Sequence, residues 1–221
     1  MPDDVIYNPH NFHPDAIAWL AKAYIFNSTI IEQGIGYCPE IHKVFMPAYS
    51  PDGVLQFYQL RALDPGVLDQ YKYLTYGKSS AYLIMYEDWT SSNKVIIVED
   101  HLSAIRLRKF GNVCSLSGTF LSHPSCQRLV DKFRTFIFWL DPDAPGRAAM
   151  LKNLMRLQQY ADKYSIKCLF TSGVDPDYSF YHINYAKITQ DPKYFRDCDI
   201  AEILNDEVIL CEKQVKGYIG Q

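Results

Sequence analysis

Apolar residues recur at helical spacing from position 15 to about 32, and Gly34 and Gly36 stop the pattern. The period then changes. Segments 43–49 and 54–63 alternate as strands do, and Ser50-Pro51-Asp52-Gly53 between them is a hairpin turn signal. Asp64-Pro65-Gly66 breaks the chain again, and 71–76 and 81–87 read as two more strands. These four segments predict a small antiparallel β unit, closed by the polar linker Thr90-Ser91-Ser92-Asn93.

From Lys94 the pattern becomes β-α-β-α-β-α-β. Strands are expected at 95–98, 112–116, 135–140 and 166–170, with helices near 100–109, 123–132 and 145–162. Pro145 suits the first turn of its helix, where a missing N–H costs nothing. Strands alternating with helices of this length imply a parallel four-stranded sheet flanked by helices, joined by right-handed crossovers. The tail reads as helical at 177–184 and 191–204. The expected organisation is a lead-in and helix over 1–36, a small β subdomain over 37–93, an α/β domain over 94–176 and a helical segment over 177–221. Residues 1–13 read as a loose lead-in, with His10 and His13 as solvated polar residues rather than a metal pair.

Composition narrows the class. The 221 residues are 48% hydrophobic and 21% charged, as in an ordinary globular chain with a proper core. A net charge of -3 means that any nucleic-acid surface must be a local basic face. The 17 tyrosines supply packing first and a stacking surface second. None of the six cysteines forms a Cys-x-x-Cys pair, so no zinc site is expected in this chain. The start, Met1-Pro2-Asp3-Asp4, is unlike a signal peptide, and no apolar run approaches the ~20 residues that span a bilayer. The expectation is a cytoplasmic protein without a membrane partner.

The chemistry lies at the ends of the predicted strands. The run 135–140 ends in Asp141-Pro142-Asp143. Side chains two apart on an extended chain share a side, and two close carboxylates repel unless a cation lies between them. The run 94–98 ends in Glu99-Asp100, and Asp175-Pro176-Asp177 follows the fourth strand. One acid at a strand end is commonly a helix cap. Three clusters in one alternating unit point instead to a divalent metal site of hard oxygen ligands, Mg²⁺ or Mn²⁺. Phosphoryl or nucleotidyl transfer uses such a site.

These residues resemble the Toprim domain of primases, topoisomerases and some nucleases. Val98-Glu99-Asp100-His101-Leu102-Ser103-Ala104 is similar to the glutamate motif. Leu116-Ser117-Gly118-Thr119 is similar to the Gly-Thr turn of primases. Leu140 to Arg147 resembles Asp-x-Asp-x-x-Gly-Arg, and Gly173 to Asp177 resembles the later Gly-x-Asp-Pro-Asp. The β unit is similar to the small subdomain that precedes Toprim in DnaG-type primases, and the Glu-Asp-x-x-Ser-Ala form is most like short primases of tailed bacteriophages.

The resemblance implies a Toprim fold and a DNA primase core that makes short RNA primers on single-stranded DNA. In that reading Glu99, Asp141 and Asp143 are catalytic, and all three hold metal with Asp175 and Asp177. Arg61, Lys72, Tyr73, Lys43, Lys78 and Arg147 meet template or ribonucleoside triphosphates. A replicative helicase and a separate zinc-binding module are the implied partners, in a host cytoplasm if the chain is phage-encoded. Two positions depart from the bacterial pattern: Asp100 stands where glycine is usual, and Ser103 where aspartate is usual. No G-x-x-x-x-G-K-[ST] motor loop is present. A Toprim nuclease and a non-catalytic docking module are the alternatives. A haloacid-dehalogenase-type phosphatase lacks the glutamate motif, a topoisomerase needs further domains, and Gly34-Ile35-Gly36 lacks the third glycine of a dinucleotide site.

Overall fold

The computed structural model describes residues 2–50, 52–77, 83–87, 92–160, 165–168 and 190–205. They form two units, divided between Ile84 and Met85.

The first unit is built on an antiparallel sheet in the order β1 (Gly36–Cys38), β2 (Lys43–Tyr49), β3 (Leu55–Ala62), β4 (Tyr73–Gly77). The β2–β3 hairpin closes where the turn signal lies: Ser50 Oγ accepts the Val54 N–H at 3.1 Å. Directly opposed residues share a face, so Phe45, Leu60 and Leu74 point one way, and Val44, Arg61 and Tyr73 the other. The predicted 15–32 helix is two helices, α1 (Pro14–Lys22) and α2 (Asn27–Glu32), because Tyr24 between them has a φ of 56°. Nor is the lead-in loose: Ile6 bridges Tyr37, and Phe12 is buried. Strand β4 begins later than the alternation suggests, after a helical turn α3 (Asp69–Lys72).

The second unit holds a five-stranded sheet in the order β5 (Ile84–Tyr86), β7 (Val113–Ser115), β6 (Lys94–Val98), β8 (Thr135–Phe138), β9 (Ser165–Cys168). Strands β6 to β9 pair in parallel. The expected four-stranded sheet is thus enlarged by a fifth strand. Segment 84–86, read as part of the antiparallel unit, takes the edge beside β7. Three residues carry alternation but no record of their partner, which is chosen by non-local burial. Helices α4 (His101–Leu107), α5 (His123–Lys132) and α6 (Ala144–Gln158) make the crossovers.

One face of this sheet buries Ile96, Val98, Ile137 and Trp139 with Ala104 and Leu107 of α4. Phe195 and α7 (Asp197–Asn205) complete that core through Ile200 and Ile203. The predicted 191–204 helix is broken into a 3-10 turn, Pro192–Tyr194, and α7. The turn is held on α4: the Arg106 guanidinium donates to the Phe195 carbonyl at 2.9 Å and pairs with Asp197. Val95, Ile97, Phe136 and Phe138, which alternate to the other face, are buried as well. Burial on both faces explains why these strands read as continuous apolar runs.

Candidate active site at the ends of two parallel strands

The strand order fixes where chemistry is expected. From β6 the chain crosses to β7 on one side, and later to β8 on the other. The carboxyl ends of β6 and β8 therefore flank a topological switch point, the crevice where open α/β sheets bind ligands. Glu99 follows β6 and Asp141 follows β8.

The two ends are tied together. Glu99 Oε1 accepts the Asp141 N–H at 3.2 Å. The Glu99 carbonyl accepts from Ser115 Oγ at 3.2 Å and from the Gly118 N–H at 3.0 Å. That turn is possible because Ser117 and Gly118 have φ values of 52° and 147°, the second suited to glycine. Gly146, in the first turn of α6, is needed for a close approach. A Cβ there would meet the Asp141 carbonyl at 2.3 Å, Glu99 Oε1 at 2.5 Å and Asp143 Oδ1 at 3.1 Å. The Glu99 and Asp143 carboxylates thus crowd over one bare glycine.

Their roles differ. Asp143 is the N-cap of α6, accepting the Gly146 N–H at 2.7 Å. Asp100 caps α4, accepting from the Ser103 N–H at 2.9 Å and Ser103 Oγ at 2.7 Å. The serine that departs from the bacterial pattern therefore serves this cap. Asp141 Oδ1 is buried with no hydrogen-bond partner, an orphaned hard oxygen of the kind a cation would satisfy. Burial, and then the Asp141 charge, push the Glu99 carboxyl up to about 8. Burial pushes Asp141 up to about 7, although Lys193 nearby favours its charged form. Two buried carboxyls that retain protons at neutral pH, one with an orphaned oxygen, fit a divalent ion that displaces the protons. Glu99, Asp141 and Asp143 do not close into a ligand set as tight as 4.8 Å. Asp175 and Asp177 lie outside the described residues.

Lys193 is the residue that sequence reasoning missed. Only 6% of its side chain is exposed, and Nζ donates to Asp100 Oδ2 at 2.9 Å and to Asp191 Oδ2 at 2.7 Å. Burial opposes its charge, but Asp100, Asp141 and Asp191 outweigh that and hold it protonated. Asp100 in turn stays below the usual carboxylate range, because Lys193 and the Ser103 donors overcome its burial. The only local hint was Asp191-Pro192-Lys193, whose proline starts the 3-10 turn.

Of the predicted nucleic-acid residues, Arg61, Tyr73, Lys43 and Lys72 belong to the first unit. The Arg61 guanidinium lies 4.9 Å from the Tyr73 ring and 5.7 Å from the Trp19 ring. Tyr73 is 38% exposed. Lys43 starts β2 and Lys72 ends α3, both half-buried. Lys78 lies outside the described residues, and Arg147 is placed only by its backbone, in the first turn of α6.

The comparisons agree with this architecture. Residues 94–171 match the Toprim domain family. No curated protein matches the chain. Solved structures do. The zinc-binding and RNA polymerase domains of the Aquifex aeolicus primase superpose with a TM-score of 0.68 at 16% identity, over 90% of this chain and 57% of that one. The E. coli primase catalytic core gives 0.65 at 17% identity, over 90% and 75%. A DnaG primase catalytic domain bound to single-stranded DNA gives 0.59 at 18% identity, over 74% and 66%. The chain shares the DnaG-type fold, with its Toprim region at the switch point. It spans little more than half the length of the Aquifex aeolicus structure. Among the described residues no helix is long and apolar enough to cross a membrane.

Proposed function

We propose that this chain is the catalytic core of a DNA primase, a nucleotidyltransferase that joins ribonucleotides on a single-stranded DNA template. The observation that carries this reading is the tie between Glu99 and Asp141 at the Toprim switch point, beside an orphaned Asp141 oxygen. The antiparallel unit that precedes it supports a primase over a Toprim nuclease, since the similar structures are primase cores.

In the reaction a primer 3′ oxygen attacks the α-phosphorus of the incoming triphosphate, an O–P bond forms, and pyrophosphate leaves. Glu99, held at the strand end by the Asp141 N–H, would accept the hydroxyl proton. Asp141, Asp143 and Glu99, with Asp175 and Asp177, are the residues that would hold Mg²⁺ or Mn²⁺, which neutralises charge on the triphosphate. Lys193 keeps Asp100 ionised and capping α4, which fixes the residue after Glu99. Arg61 and Tyr73 offer a cation and an aromatic face to template or nucleotide, with Lys43, Lys72, Lys78 and Arg147 as further phosphate contacts. A helicase and a separate zinc-binding module are the proposed partners. The Glu99-Asp100-x-x-Ser103-Ala104 form favours the short phage type. Incorporation of labelled ribonucleotides on single-stranded DNA tests the reading. Metal-dependent cleavage of that template, without synthesis, would move the assignment to the nuclease.

A further inference from the structure

The histidine read from sequence as a solvated lead-in residue has partners. His13 precedes α1, Asp15 lies in its first turn, and His42 follows β1. Their ligand-type atoms all lie within 4.8 Å of one another, the only such set of three among the described residues. We propose that His13, Asp15 and His42 form a binding site for a tetrahedral transition-metal ion, Zn²⁺ by its chemistry, with Asp64 as fourth ligand.

Distances carry the argument. His13 Nδ1 is 3.4 Å from Asp15 Oδ2, and His42 Nε2 is 3.5 Å from the same oxygen. Both are long for a charge-assisted hydrogen bond, which prefers ~2.8 Å. Ligands held ~2.1 Å from a tetrahedral zinc lie roughly 3.4 Å apart, the edge of that tetrahedron. Asp64 Oδ1 lies 4.0 Å from His42 Nε2 and needs only a small approach.

A second observation points the same way. His42 Nδ1 is hydrogen-bonded to the Tyr37 hydroxyl at 2.8 Å, which leaves Nε2 turned to the carboxylates. Metal-bound histidines are oriented in this manner by a partner on the other ring nitrogen. In the tautomer with Nδ1 protonated and donating to Tyr37, Nε2 presents its lone pair to the ion, so this ring needs no tautomer change to bind. His42 also has a φ of 49°, a costly conformation for a β-carbon residue and one that aims the ring. His13 Nδ1 now accepts the Asp15 N–H at a long 3.3 Å, and that weak bond is the one given up. Imidazole and carboxylate donors suit zinc, while Mg²⁺ prefers all-oxygen sets. The missing Cys-x-x-Cys pair excludes a thiolate site and leaves this donor set untouched. The ion would staple the start of α1 to the β1–β2 turn and to the segment after β3.

The test is zinc retained by the chelator-stripped full chain after dialysis against Zn²⁺. It compares wild type, Asp141→Ala/Asp143→Ala, and His13→Ala/His42→Ala, with thermal unfolding followed in parallel. The proposal expects about one zinc per chain in the first two, a higher melting temperature with zinc, and at least tenfold weaker binding in the histidine variant. His13→Ala alone guards against misfolding, because 48% of that side chain is exposed; it should weaken binding with the fold intact. Zinc binding that ignores the histidine changes, or none in wild type, overturns the site.

Discussion

Glu99 and Asp141, 42 positions apart, are joined by a single 3.2 Å hydrogen bond from the Asp141 N–H to Glu99 Oε1. The bond couples the ends of β6 and β8, and one carboxylate oxygen is thereby used for structure. Glu99→Gln can keep that bond through its amide oxygen but cannot take up a hydroxyl proton. The expected outcome is a folded protein whose ribonucleotide incorporation falls by about 10²-fold or more, the usual worth of a positioned base. Rate and melting temperature measured on the same preparation separate the two effects.

Stability of the metal-free protein should fall as pH rises. The folded Glu99 and Asp141 carboxyls titrate at about 8 and about 7, well above their ordinary values of 4.5 and 3.8. Between roughly pH 4 and pH 8 the folded state therefore binds more protons than the unfolded one, so stability is present at the acid end and lost toward the alkaline end. A divalent cation relieves the repulsion and should flatten the profile. Denaturant midpoints at about pH 5 and about pH 8.5, with and without Mg²⁺, read this directly; a midpoint that rises with pH without metal contradicts it.

Lys193→Met should be costly although it lies far from the acidic motifs in sequence. The change leaves Asp100 and Asp191 without their buried ammonium, and breaking such a pair from one side typically costs about 3–5 kcal/mol. Adding Asp100→Asn should recover part of the loss, which a double-mutant cycle by chemical denaturation measures.

Gly146→Ala gives a prediction of sign. Helix propensity alone would favour alanine by about 1 kcal/mol. The 2.3 Å approach of the Asp141 carbonyl and 2.5 Å of Glu99 Oε1 predict the reverse, a loss of about 1–3 kcal/mol with lower activity. A stabilised Gly146→Ala would mean that the strand end and α6 do not approach as closely as described.

The ends of β6 and β8 were legible because local signals agree there: an apolar run stops, an acid follows, and a helix opens. Asp100 and Asp143 show the limit of that logic, since each is also an N-cap, the ordinary reason for an acid at that place. The edge strand 84–86 was misplaced because its partner lies in a later segment, and Lys193 was missed because a buried lysine carries no periodic mark. Arg61 was found from the family pattern, yet its packing over Trp19 and Tyr73 depends on strand register that alternation alone does not give. His13 and His42 are 29 positions apart, and only the fold brings them together.

The central claim is tested most directly by incorporation of labelled ribonucleotides on single-stranded DNA with Mg²⁺ or Mn²⁺, beside Asp141→Ala and Asp143→Ala. The account predicts metal-dependent oligoribonucleotides from the wild type and none from the Asp141 variant. Synthesis that persists in Asp141→Ala, or template cleavage in place of synthesis, would contradict it.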